Sequence, residues 1–548
     1  TLTFTENQTE AFHALTGYYT GLFQEGNDRM ALQPGIVRTE AEGRLVTAFF
    51  AWLSWAAGTR RPGAEYTYTT NWPFDPLVGN EPLPDFLMWS IVSVILLIFA
   101  IAASLFVYQR YVGREEYGSH LTLDFPEPQP TSSQKATLVY FVTAIVLFTL
   151  QLGLGAVTAH FTVEGNSFYG IPLASFLPYA AVRTWHIQLA IFFIATCFLA
   201  AGLFIGPFVG REPKGQAAWV LVLFAALVVV VAGTLGGTWL SVSGFFGGDG
   251  YLFGHQGYEF IELGRAWQLL LIAGMIIWLV LVWRAIRPAL RHEEDSGGLT
   301  HMLLYSSVSI PLFYMAGLMY GKGSHLSDAE YWRWWVVHLW VEGFFEVFAT
   351  VVMAFLLSHI GAVSKKFALT SVYFIIFLYL GSGVIGTFHH LYWSGSPTVV
   401  IALGAVFSAL EVVPLSMLGF EAALFVPTGT QSNFCGILSH CQRGDEYIVG
   451  QYAHCYRWEG GGAAVFGSVQ PQPLEHQPDG TLLLSDIAAA IKPDDAHFAR
   501  TRLLALENTL GGKLLPFDYV QQATQLALDK GLMRHLDGAR LFNAAVAQ

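Results

Sequence analysis

Nine apolar runs dominate the chain, at about residues 86–108, 136–159, 185–207, 217–240, 266–288, 302–320, 332–359, 368–390 and 399–422. Each has the length of roughly 20 residues that a helix needs to cross the hydrocarbon of a bilayer. A spanning backbone must satisfy its own hydrogen bonds there, so the runs predict a helix bundle. The loops after odd-numbered runs hold Arg110, Arg114, Arg211, Lys214, Arg284, Arg287, Arg291, Lys365 and Lys366, whereas the others hold few bases, such as Arg265 and Lys322. That asymmetry places the first set of loops in the cytoplasm, and with them the tail after residue 422. Residues 1–85, polar and aromatic with turns at Arg60-Arg61-Pro62-Gly63 and Asn71-Trp72-Pro73, then form a soluble domain on the opposite side. Composition agrees: 53% hydrophobic, 12% charged and a mean hydropathy of +0.46 describe a multi-pass membrane protein. A net charge of −12 argues against a nucleic-acid partner.

Charges inside these runs need a reason, since a carboxylate at the bilayer centre costs about 3 kcal/mol on insertion scales. His338, Glu342 and Glu346 recur every four residues, which puts them on one face of a helix. A His and a Glu so spaced can bind one metal ion, and the alternative is a satisfied buried polar pair. His389 and His390 close the next run and point about 100° apart on a helix. Three imidazoles and a carboxylate suit iron better than magnesium or calcium. His186, at the start of the third run, reads by itself more readily as a structural or interfacial residue than as a ligand. Glu259 and Glu262, in an outer loop, read by themselves as solvated charges.

The segments HLWVEGFFEVFATVV and GTFHHLYW resemble the non-haem iron motifs of quinol-dependent nitric oxide reductases, relatives of the haem-copper oxidases. The resemblance covers about residues 1–422 and implies an all-α, haem-copper oxidase-like membrane bundle, incomplete here, in a bacterial inner membrane. It implies His338, Glu342, His389 and His390 as non-haem iron ligands, and Glu342 and Glu346 as catalytic, with Glu346 a proton carrier. RTWHIQLAIFFIAT matches the family and implies that His186 is an axial ligand of a low-spin haem b. Glu259 and Glu262 are implied near a calcium ion bridging the haem propionates, although many members carry Asp at the second position. Nitric oxide, quinol and membrane lipid are the implied partners. TYTTNWPFDPLVGN resembles the segment that leads into the membrane. Thr1 follows no Met or basic leader and reads as the interior of a longer protein, with an anchor helix expected ahead of it. The family's His-x-His pair, which ligates both haems, has no counterpart in this chain. The expectation is therefore a high-spin haem without a proximal ligand, a low-spin haem with His186 alone, and little or no turnover of nitric oxide.

After residue 422 the character changes, with charges returning and strand and helix patterns alternating. Thr428-Gly429-Thr430 is a small-residue turn ahead of a helix, able to offer N–H groups to a phosphate, and His535-Leu536-Asp537-Gly538 reads as a strand-end turn. ALFVPTGTQSN, EYIVGQYAHCYRWEGGGAAVFGSVQPQP, FARTRLLALENT and HLDGARLFNA resemble low-specificity L-threonine aldolases, which use pyridoxal phosphate (PLP). Residues 423–548 are thus expected to be part of a PLP-dependent fold type I α/β domain. The resemblance implies Gly429 and Thr430 at the phosphate, His454 stacked on the ring, Asp537 at the pyridinium nitrogen and Arg540 nearby. Its Schiff-base lysine lies beyond Gln548, Lys513 belongs to another motif, and Leu510 stands where many members have His. Cys197, Cys435, Cys441 and Cys455 show neither zinc nor secreted-disulfide spacing, so they read as reduced thiols. The junction at Glu421-Ala422 reads as a recombination of two unrelated sequences. The function classes in view are a nitric oxide reductase, a non-catalytic chimera that retains part of a metal site, and a threonine aldolase lacking its lysine.

Overall fold

The computed structural model describes the chain except residues 1–3, 28–29, 31, 112–128, 248, 257–262, 292–297, 395, 423–425, 427 and 548. It divides into two compact units, Thr1–Ala422 and Ala423–Gln548. The first opens with a helical hairpin, α1 (Glu6–Glu25) and α2 (Glu40–Gly58). Both begin with a capping box, Thr5 with Gln8 and Thr39 with Glu42, which satisfies two orphan N–H groups at each start.

The membrane helices follow as α3 (Pro84–Tyr111), α4 (Ser132–Ala136) running into α5 (Leu138–Glu164), α6 (Tyr179–Val209), α7 (Gln216–Val242), α8 (Arg265–Ile286) and α9 (Leu299–Tyr314). Next come α10 (Leu326–Trp334), α11 (Ala349–His359), α12 (Lys365–Gly386) and α13 (Thr398–Ala422). Among the described residues, seven helices are long and apolar enough to cross a membrane, against nine runs expected. The chain is a multi-pass membrane protein. The seventh expected run is built in pieces. Between α10 and α11 lie two π turns, Trp335–Trp340 and Gly343–Phe348, and the apolar remainder is Glu346–His359. The eighth is α12, a helix of 22 residues.

The π turns correct the expectation of one regular α-helical face through His338, Glu342 and Glu346. A π turn bonds i to i+5, so it displaces a carbonyl from the α ladder. The Tyr379 hydroxyl of α12 donates to Leu339 O at 2.7 Å and is buried there. Gly343 permits this approach, because a Cβ at that position would lie 2.7 Å from the tyrosine oxygen. The second π turn is anchored in the core: the Phe348 ring meets Trp278 edge-on at 5.6 Å. Trp278 lies over Gly202 of α6 and donates its indole N–H to Leu199 O at 3.1 Å. Burying such side chains stabilises by about 1.5–3 kcal/mol each, so the irregular segment is held by ordinary packing.

The second unit is an α/β layer structure. Strands β1 (Asp445–Gly450), β2 (Gln470–Leu474), β3 (Arg500–Glu507) and β4 (Met533–Asp537) form a parallel sheet in the order β2-β1-β3-β4. Tyr447 and Val449 pack on one face with Ile437 of α14 (Gly429–His440). Ile448 packs on the other with Ile487, Ala523 and Ala527. A parallel sheet covered on both faces explains the continuous apolar run of β1.

Candidate metal centre and cofactor site

The π-helical segment and the 3₁₀ turn Thr387–Ser394 bring three histidines together. One nitrogen of each of His338, His389 and His390 lies within 4.8 Å of the others. His390 Nε2 is 3.3 Å from His338 Nδ1, and Glu342 Oε1 is 2.9 Å from that same Nδ1. Glu342 thus joins the group through His338. His338 and Glu342 are both buried, and His338 Nε2 has no hydrogen-bond partner among the described residues. Three clustered imidazoles, one with a buried nitrogen that has no partner among the described residues, are a donor set suited to iron or another transition metal.

Two further carboxyls adjoin this group. Glu346 is half-buried, and its Oε2 has no partner among the described residues. Glu411 of α13 is 1% exposed and interacts with both Glu342 and Glu346. Sequence reasoning missed Glu411. Its signal was there, a carboxylate within the ninth apolar run, but no chemical partner stands near it in sequence. Val336 and Trp340 of the same π turn also line an apolar cavity of about 60 Å³, together with Phe192, Leu227 and Met275 among others.

His186 lies apart from that group, on α6 against α5. Its Nδ1 is 2.8 Å from Gln151 O, and a carbonyl can only accept, so Nδ1 carries the proton. Nε2 keeps its lone pair, and the nearest polar group to it is the Gln151 amide at 3.4 Å. An imidazole that donates one N–H to a carbonyl and presents the other nitrogen is oriented as metal ligands are. Gly155 makes room for it, since a Cβ there would lie 2.7 Å from His186 Cε1. These residues fit one axial position of a haem. Glu259 and Glu262 lie outside the described residues.

In the second unit the expected residues gather at the carboxyl ends of the parallel strands, where ligands bind in open α/β sheets. Asp537 ends β4 and accepts from the Asn433 amide at 2.8 Å. Asn433 sits one turn after Gly429 and Thr430, which open α14 behind the Thr428 cap. Its amide also donates to Glu459 at 2.8 Å, and Glu459 lies 2.9 Å from His454 Nδ1. Arg540 follows Asp537 in the next turn and acts on the Glu507 carboxylate. Burial holds Glu507 above the usual carboxylate range. This set, with a helix N-terminus, an acidic acceptor and an imidazole, fits the phosphate and ring of pyridoxal phosphate. Neither Lys492 nor Lys513 joins it: their ammonium groups donate to Gln472 Oε1 and Pro478 O, at 3.1 and 2.9 Å.

Comparison with known proteins separates the chain along the same lines. The family model for cytochrome c and quinol oxidase polypeptide I matches residues 135–440. That for the cytochrome c-like domain of nitric oxide reductase matches residues 1–74, and that for beta-eliminating lyases residues 400–548. A nitric oxide reductase polypeptide of Stutzerimonas stutzeri is 28% identical over 286 residues, 52% of this chain and 57% of that protein. The low specificity L-threonine aldolase of Escherichia coli (strain K12) is 56% identical over 140 residues, 26% of this chain and 42% of that protein. The aldolase of Saccharomyces cerevisiae is 37% identical over 139 residues, 25% of this chain and 36% of that protein. The chain therefore spans less than half the length of these aldolases and 57% of the reductase. A nitric oxide reductase-like region and a threonine aldolase-like region are both present, as in a chimera of the two.

Proposed function

Because the chain belongs to the cytochrome c and quinol oxidase polypeptide I family, we propose that its membrane unit carries the non-haem half of a nitric oxide-reducing centre. The observation behind this reading is the meeting of His338, His389 and His390 nitrogens within 4.8 Å, with Glu342 attached. Those four side chains would hold the iron. Iron so held supplies redox and Lewis-acid chemistry to the overall conversion of two nitric oxide molecules, two electrons and two protons into nitrous oxide and water. Glu346 and Glu411 hold protons at their carboxyl oxygens and pass them toward the centre through Glu342. His186 Nε2 would hold a haem b on the electron-donor side, and Glu259 and Glu262 would supply carboxylate oxygens to a calcium ion. In this reading quinol supplies the electrons. Residues 1–85 lie outside a bacterial inner membrane and the tail lies in the cytoplasm, following the distribution of basic loops.

The sequence holds no His-x-His pair to serve as proximal ligand to a high-spin haem, and in this reading the chain turns over little or no nitric oxide. Its tail binds pyridoxal phosphate without a covalent bond, through Gly429, Thr430, His454, Asp537 and Arg540. The test is nitric oxide consumption by purified protein supplied with a reduced quinol, with iron and haem measured on the same sample. Bound iron without sustained consumption is the expected result, and sustained consumption would refute the inactive reading.

A further inference from the structure

A buried ion pair stands one helical turn before the histidine cluster. Glu330 and Arg333 of α10 are 8% and 6% exposed, and their two contacts measure 3.1 and 3.2 Å. Removing two charges from water is costly, and apolar residues of similar shape often stabilise as well or better. Stability alone is therefore a poor reason for the pair. What it does geometrically is specific. Glu330 Oε2 also accepts the indole N–H of Trp334 at 3.1 Å. The Arg333 guanidinium lies over the same indole, 4.9 Å from a ring centroid. The Trp334 ring in turn lies flat on the His390 imidazole, with centroids 3.9 Å apart and planes 6° apart. His390 Nε2 then faces His338.

We infer that Glu330 and Arg333 are positioning residues for His390. They fix the plane of Trp334, and that plane fixes the direction in which the imidazole presents its nitrogen to a metal ion. The inference rests on the metal-centre reading for its consequence, but the contacts from Glu330 to His390 exist without metal. An imidazole near a helix end can rotate about two side-chain bonds, and a flat aromatic wall on one face removes most of that freedom. Groups that orient a ligand in this way change metal affinity by about 10–100-fold when lost. Trp334 ends α10 where the first π turn begins. The Glu330 tether therefore holds a side chain at the place where the backbone departs from α geometry.

The experiment uses the full chain in detergent and two readouts. In metal-free protein labelled at histidine Cε1, the stacked indole shifts the His390 resonance upfield. Glu330→Ala and Trp334→Leu should both abolish that shift. Glu330→Gln, whose amide oxygen can still accept from Trp334, should keep it. In the second readout, Co²⁺ alone is titrated as a visible probe of the centre. Glu330→Ala and Trp334→Leu should each weaken binding by about 10-fold, and the double variant should be no weaker than Trp334→Leu. That non-additivity marks action through Trp334. An unchanged His390 resonance in Glu330→Ala, or two cobalt effects that add, overturns the inference. If wild type binds no Co²⁺ the metal-centre reading fails, and the resonance decides the positioning by itself. Should Glu330→Ala not fold, Trp334→Phe, which keeps a ring but loses the N–H tether, must move the resonance part-way or the inference falls.

Discussion

His338 Nδ1 and Glu342 Oε1 stand 2.9 Å apart, although the chain joining them leaves a π turn. The four-residue spacing alone gives such a contact in a regular helix. Here the Leu339 carbonyl of the π turn also accepts a hydrogen bond from the Tyr379 hydroxyl. The centre is therefore tied to α12 twice, by Tyr379 and by the histidines that follow it.

The Gly155 notch should control His186. A Cβ at 155 would sit 2.7 Å from the imidazole, so Gly155→Ala must either push the ring away or strain the helix pair. Overpacking of this kind costs about 1–3 kcal/mol. Haem content of the purified variant should fall by about 10-fold, as when a ligand loses its orientation. Full haem content with an unchanged low-spin spectrum would contradict the assignment.

Charges within the apolar runs made His338, Glu342 and Glu346 legible, because hydrocarbon leaves few reasons to keep them. The tail's layered α/β form was legible from its alternating pattern. The π turns were not, since periodicity reasoning assumes 3.6 residues per turn. Nor were Glu411 and Asn433. Glu411 acquires its meaning from Glu342 and Glu346 on another helix, and Asn433 from Glu459 and Asp537, all distant in sequence. Contacts of that kind follow from tertiary packing, which no local pattern records.

The tail should not attach pyridoxal phosphate covalently. Capture requires an amine at the cofactor's aldehyde carbon; Lys492 and Lys513 are engaged elsewhere, and Lys530 ends the helix Phe517–Asp529 ahead of β4, at the opposite end of that strand from Asp537. After incubation with the cofactor and borohydride, peptide mass spectrometry should find no stoichiometric phosphopyridoxyl-lysine within 423–548. A stoichiometric adduct on one lysine would refute this.

Two tail cysteines should resist alkylation. Burial pushes the Cys441 thiol up to about 11 and the Cys455 thiol up to about 12, with Glu459, Asp537 and Glu507 adding to the second. Because the thiolate is the reactive form, iodoacetamide at pH 8 should label both only after denaturation. Rapid labelling of Cys455 in native protein would mean that its site is open.

His535 should make the tail acid-sensitive. It donates from Nε2 to Asn433 Oδ1 at 2.9 Å, and burial lowers its pKa below 6.5 despite Asp537 and Glu459 nearby. The unfolded chain then binds the proton more readily than the folded one. The associated stability is present above pH 6.5, falls as pH drops through that value, and levels off below the folded pKa. Hydrogen exchange of tail peptides between pH 7.5 and 5.5, corrected for intrinsic rates, should show more opening at the acid end. The effect should shrink in His535→Gln, and equal sensitivity in that variant would exclude His535 as the cause.

His338, His389, His390 and Glu342 should together hold one metal ion. Non-haem iron should be measured on purified full-length chain after anaerobic loading with Fe²⁺ and removal of excess, beside His389→Ala and His338→Ala. Wild type should hold about one iron per chain, and each variant should lose about 10-fold or more. Iron retained equally by wild type and both variants, or absent from all three, would contradict it.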